Sequence, residues 1–271
     1  MGKITVKHYL NNNLNPEKED NELYYPLYVL IIVKGKNFKR KSGLLNLYVT
    51  EKSFENELSD NPEAKRKIEY ERELFSEIIK LFINDFDNKQ VRKDIVSFYP
   101  LKVYGSKDNF INLLNTYIDF YSSSIFNAIA NYCDKEIEKD INRKLEKVFK
   151  FENQPDIKQL FKNQTAIQEA KFIYENLDAE SIEFFILRES LRRYLAPYNI
   201  RTGYDIPLID WLNNKIQTEF IEFLRTPHQK TPFYLVNDFK IDDTLIYKFI
   251  NIIETVVKSK NYIELSRADR Q

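Results

Sequence analysis

Residues 28–49 read YVLIIVKGKNFKRKSGLLNLYV, and the fold of the N-terminal part of the chain turns on this stretch. The run from Tyr28 to Val33 is β-rich and apolar on both faces, as a central strand would be. Gly35, within KGKN, supplies a turn, and NFKRKSGLLNLYV returns, with Gly43 placed as a bulge or kink. Upstream, KITVKHYL (3–10) alternates as a strand, with Ile4, Val6 and His8 on one face and Thr5, Lys7 and Tyr9 on the other. The polar stretch NNNLNPEKEDNE between them contains Asn-Pro and reads as a loop. Pro26 belongs at the start of the central strand, because proline cannot donate to a ladder. The expectation is a three-stranded antiparallel sheet.

Helical signals follow. Thr50 is placed as the N-cap of a short turn through Phe54, and Asp60-Asn61-Pro62 opens a helix with a capping side chain and a first-turn proline. Ile68, Phe75, Ile78, Ile79, Phe82 and Phe86 form its apolar stripe. VSFYPLKVYGSKDN (96–109) breaks the pattern and marks the expected domain boundary. Beyond it Phe110, Leu113, Leu114, Tyr117 and Tyr121 share one helical face. A second stripe runs through Ile125, Ile129, Tyr132, Ile137, Ile141, Leu145 and Val148. Its later part is a narrow seam on a charged helix, suited to its own domain or to a partner chain. Further helices fit 156–176, 180–196, 207–225 and 242–260, with Asp178 and Asp242 as candidate caps. The class is therefore α+β: a small N-terminal three-stranded antiparallel sheet with a helix (1–95), followed by a larger, mostly α-helical domain (96–271).

Composition narrows the function. Lys+Arg and Asp+Glu both number 41, so net charge points to no polyanion and only local clustering can. The glycines Gly2, Gly35, Gly43, Gly105 and Gly203 form no phosphate-cradling pattern. No apolar run has the roughly 20 residues that span a bilayer, and the N-terminus lacks signal-peptide character. The expectation is a cytoplasmic protein, or a virion component, with no membrane partner and no cofactor. His8 and His228 lie in no metal-ligand spacing, and Cys133 reads as a buried thiol. A Cys133–His228 pair has no local support. Asp205, Asp210, Asp238, Asp242 and Asp243 cluster towards the C-terminus. DFKIDD (238–243) is the nearest thing to a magnesium-nuclease site, although helix caps account for the same residues.

The hairpin gathers Lys34, Lys36, Lys39, Arg40 and Lys41 within eight residues. Strand alternation points Phe38 and Arg40 one way and Lys39 and Lys41 the other, with Lys34, Lys36 and Ser42 extending a positive rim. A basic β-ribbon can lie on DNA and release counterions from the phosphates. Lysines that guard a sheet edge give the same pattern. A second basic stretch, FFILRESLRRYLAPYNIRTGY, holds Arg188, Arg192, Arg193 and Arg201. It reads as an amphipathic surface helix, with a second phosphate-contacting helix as the alternative.

Tyr25-Pro26-Leu27-Tyr28, Gly35, Lys36, Lys41-Ser42-Gly43, Val49, Thr50-Glu51 and Phe54 carry a resemblance. Residues 1–86 resemble the N-terminal arm-type DNA-binding domain of tyrosine recombinases, the integrases of phages and transposons, in the form common in Bacteroidetes. That resemblance implies a three-stranded sheet that binds DNA. The catalytic pattern is missing: His228 is followed by Gln229-Lys230-Thr231, so there is no His-x-x-Arg, and LRESLRRYL (187–195) has no partner histidine. The expected function is non-catalytic DNA binding by an accessory protein of a phage or mobile element, through Lys34, Lys36, Lys39, Arg40 and Lys41. Its helical part would contact itself or other proteins. The alternative is a structural assembly protein, such as a virion or head–tail component, that forms oligomers through its helices.

Overall fold

The computed structural model describes residues 4–11, 16–19, 22–44, 48–51, 54, 62–92, 95, 108–149, 175–226 and 241–266. His228, Asp238, Gly105, the Asp60-Asn61 cap, most of the expected break at 96–109 and nearly all of the expected helix 156–176 lie outside them. The α+β expectation holds: an N-terminal antiparallel sheet precedes a mostly helical chain. Two compact units form. One comprises Met1–Ser123 with Pro197–Ile209, the other Ser124–Ala196 with Asp210–Gln271.

In the first unit, strands β1 (Thr5–Leu10), β2 (Glu17–Glu19), β4 (Lys36–Lys41) and β5 (Tyr48–Val49) all pair with β3 (Glu22–Val33). β3 is longer than the sequence suggests. Residues 22–24 pair with Glu17–Glu19, inside the stretch expected as a loop. Pro26 accordingly lies within the strand, not at its start. It lies opposite Tyr48 of β5, after the β2 ladder ends at Tyr24 and before the β1 ladder begins at Leu27, so its missing N–H interrupts neither of those two. The two-residue turn between β3 and β4 has positive φ at both Lys34 (49°) and Gly35 (72°). That is type I′ geometry, whose twist matches the flanking strands.

The inner sheet face, with Val6, His8, Leu27, Val29, Ile31 and Val33, is buried. Helix α1 (Pro62–Asp87) buries Ile68, Leu74, Phe75, Ile78, Ile79 and Phe82, and packs against β1 and against helix α2 (Asn109–Tyr121). Phe82 meets the rings of Phe110 and Tyr117 at 5.1 Å each, both edge-on.

The stripe of α1 contains one acid, Glu71, fully buried. Its Oε2 accepts from His8 Nε2 at 2.5 Å and Ser42 Oγ at 2.7 Å. Its Oε1 accepts from the backbone N–H of Gly43 at 2.6 Å and from the Tyr204 hydroxyl. Burial pushes the Glu71 carboxyl up, but the bonds from His8, Tyr204 and Ser42 and the charge of His8 outweigh it and leave it below its ordinary value. Gly43 is required by this approach. A Cβ there would lie 2.2 Å from the Tyr204 hydroxyl oxygen. The glycine at this point of the chain therefore has a packing cause.

In the second unit, helix α3 (Ile125–Phe149) buries Ile125, Ile129, Cys133, Ile137 and Ile141. It packs against α7 (Asp243–Lys258) and α8 (Tyr262–Leu265). The described part of its seam thus lies against its own unit. Helix α4 (Ala179–Thr202) contributes its residues up to Ala196 here and its last residues, from Pro197, to the first unit. The expected helix 207–225 is two, α5 (Leu208–Leu212) and α6 (Gln217–Arg225), interrupted where Asn214 takes φ 57°. Asp242 caps α7 as expected, accepting from Leu245 N at 2.9 Å. At α4 the side-chain acceptor is Asp140 of α3, which takes the N–H of Asp178 at 2.9 Å and the Ser181 hydroxyl at 3.0 Å.

Glu71→Ala, which orphans four donors, should cost about 3–5 kcal/mol by urea denaturation. Because the folded Glu71 pKa is depressed, its contribution is present above the ordinary carboxylate value of 4.5 and is lost as pH falls through the lower folded value. Glu71→Gln should therefore flatten the acid limb of stability against pH. An unchanged acid limb would mean that other carboxylates set it.

Candidate nucleic-acid interface

Register assigns the residues of the sheet core to two faces. Lys7, Leu30 and Lys39 form one cross-strand row, Tyr9, Tyr28 and Lys41 the next, and Thr5, Ile32 and Asn37 the third. These rows make the outer face: Lys7, Ile32, Asn37, Lys39 and Lys41 are exposed, and Tyr9, Tyr28 and Leu30 are half-buried. β1, β4 and Leu27–Val33 contain no acidic residue.

The five hairpin cations separate by face. Arg40 points inward, its guanidinium 5.2 Å from the centre of the Phe75 ring. It donates to Asp119 at 2.8 Å and to Asn115 at 3.4 Å, both on α2. Lys34, in the turn, bonds Asp87 at the end of α1 and lies over the Phe86 ring. Lys36 bonds Asp108, the N-cap residue of α2, and lies over the Phe110 ring. The bond from Lys36 holds the Asp108 carboxyl below its ordinary value, with the N–H of Phe110 acting in the same direction. Ser42, expected in the positive rim, is buried on Glu71.

Lys39 and Lys41 point outward, as their alternation with Arg40 requires. The Lys39 ammonium lies 5.1 Å from the centre of the Tyr9 ring. Among the described residues, neither Lys7 nor Lys39 forms an ion pair. Lys7, Tyr9 and Tyr28 join this surface beyond the cations that the sequence points to. Part of the signal is local: alternation along residues 3–10 sets Lys7 and Tyr9 on one face, but only the pairing puts them beside Lys39 and Lys41.

In the second unit, two arginines of the other basic stretch are engaged. Arg188 donates to Asp134 at 2.6 Å and Arg192 contacts Glu189 at 2.7 Å. Of the C-terminal acids, Asp243 pairs with Arg225 at 3.0 Å and Asp242 is a cap. In the first unit, burial pushes the Asp205 carboxyl up. Cys133 is buried, and burial pushes its thiol up as well.

His8 and Glu71 are a histidine–carboxylate pair that folding assembles from positions 63 apart. Their side chains are 2% and 0% exposed. Ser42 donates to the carboxylate and not to the imidazole, so the three do not form a nucleophile–base relay. Among the described residues no group of three or more His, Cys, Asp or Glu is placed to hold a metal ion. No helix among them is long and apolar enough to cross a membrane. No protein-family model, curated protein or solved structure matches the chain.

The two faces predict different responses to truncation. Arg40→Ala, which removes a half-buried ion pair and ring packing, should lower stability by about 1–3 kcal/mol, and Lys39→Ala should stay within about 0.5 kcal/mol of the parent. Urea midpoints compare them directly. Equal losses would show that Arg40 contributes no more than a surface cation.

Proposed function

We propose that this chain is a non-catalytic DNA-binding accessory protein of a phage or mobile element, and that the outer face of its sheet contacts DNA phosphates. One observation carries the reading: Lys7, Lys39 and Lys41 stand exposed on a face to which the core strands supply no acid. Among the described residues, Lys7 and Lys39 have no carboxylate to give up before they neutralise a phosphate. The resemblance to integrase arm domains supports the same reading from the sequence.

Lys34 and Lys36 are secondary contacts. Their ion pairs are open to solvent, and such pairs are worth only about 0–1 kcal/mol, so a phosphate exchanges for the carboxylate at little cost. Arg40 serves the sheet by holding it to α2. The helical second unit supplies contacts to itself or to other proteins.

Fluorescence anisotropy with a labelled mixed-sequence duplex, titrated at several salt concentrations, tests the proposal. Affinity should rise as salt falls, and the Lys39→Ala/Lys41→Ala pair should reduce the log–log salt slope by about 2, near 0.9 per lost phosphate contact. An unchanged slope in the folded double variant would remove these lysines from the interface. A discrete oligomer without affinity for DNA would favour an assembly protein instead.

A further inference from the structure

Phosphate binding leaves the middle of the outer face unexplained. Tyr9 and Tyr28 are directly opposed on β1 and β3, their ring centroids 6.1 Å apart and their planes tilted by 53°. Leu30 occupies the centre of the next row, and beyond it Ile32 is 37% exposed. Lysines flank this apolar and aromatic strip, with Lys7 on one side and Lys39 and Lys41 on the other. Phosphates take cations and hydrogen-bond donors, so the rings and aliphatic side chains of this strip add nothing to a pure phosphate reader.

We propose that the DNA taken by this face is single-stranded, with unpaired bases stacking on Tyr9 and Tyr28 while Lys7, Lys39 and Lys41 hold the flanking phosphates. The inference rests on the DNA-binding reading above and adds the form of the ligand. A duplex keeps its base faces stacked on one another and offers a protein surface only phosphates, sugars and base edges. A single strand offers base faces, and each base has one whatever its sequence. Lysines beside half-buried aromatic rings on one face match both parts of such a ligand. The contact between Lys39 and the Tyr9 ring is compatible with this. A cation over a partly exposed ring is worth less than a stacked base, so an arriving base takes the ring and the ammonium moves to its phosphate.

The test compares binding of the full chain to a labelled oligothymidine of about 20 nucleotides and to a mixed-sequence duplex of equal length, at one salt concentration. The oligothymidine should bind more tightly than the duplex. Tyr9→Leu/Tyr28→Leu should weaken its binding at least about fivefold and leave the duplex unaffected, whereas Tyr9→Phe/Tyr28→Phe should retain it within about twofold. Should the leucine pair fail to fold, photocrosslinking of a bromouracil-substituted oligonucleotide to Tyr9 or Tyr28 of the parent carries the same decision. Tighter binding to duplex, or full single-strand affinity in the folded leucine pair, overturns this inference and leaves the DNA-binding reading standing. No binding of either nucleic acid overturns both.

Discussion

The first unit depends on a buried carboxylate. A charge at the position of Glu71 is tolerated only if its oxygens find donors, because an unpaired buried ion costs several kcal/mol. The donors come from β1 (His8), the end of β4 (Ser42 and Gly43) and the turn after α4 (Tyr204). Segments far apart in sequence are thus fixed to a single point on α1. The close approach of Tyr204 also forbids a side chain at position 43, so Gly43 is part of the same constraint. Burial and the charge of Glu71 together hold the Tyr204 hydroxyl well above its ordinary value, which keeps it a donor.

Anchoring Ser42 inward sets the parity of the strand that precedes it. Lys36, Phe38 and Arg40 share its side of the sheet, and Asn37, Lys39 and Lys41 take the other. The inward and turn cations meet acids at helix ends and on helix flanks: Asp87, Asp108 and Asp119. The outward ones lie on a face to which the core strands bring no acid. Among the described residues, Lys7 and Lys39 thus stand on that face without an ion pair, and the proposed DNA contact builds on that distribution.

Several elements are legible from the residues alone. Alternation identifies β1 and the central strand, glycine marks the Lys34-Gly35 turn, and the α1 and α2 stripes match their buried faces. Asp242 reads as a cap and is one. The departures have local causes. The β2 strand is three residues of charged sequence whose only β signal is its partner. Pro26 looks like a strand start because its place between the β2 and β1 ladders, opposite Tyr48 of β5, is a property of pairing. Glu71 sits between Ile68 and Phe75 at the spacing of the stripe, yet an acid there reads as a solvated position until its donors are known.

Sequence by itself determined the period of each element and therefore which residues share a face, because alternation and the helical repeat are local properties of the backbone. It also determined that five cations would crowd one hairpin. Only the tertiary structure decided which of them meet acids on α1 and α2, that Lys7, Tyr9 and Tyr28 stand beside Lys39 and Lys41, and that His8, Ser42, Gly43 and Tyr204 converge on Glu71. Those facts depend on strand register and helix docking. Both are set by the burial of one whole face against another, which no single stretch of sequence contains.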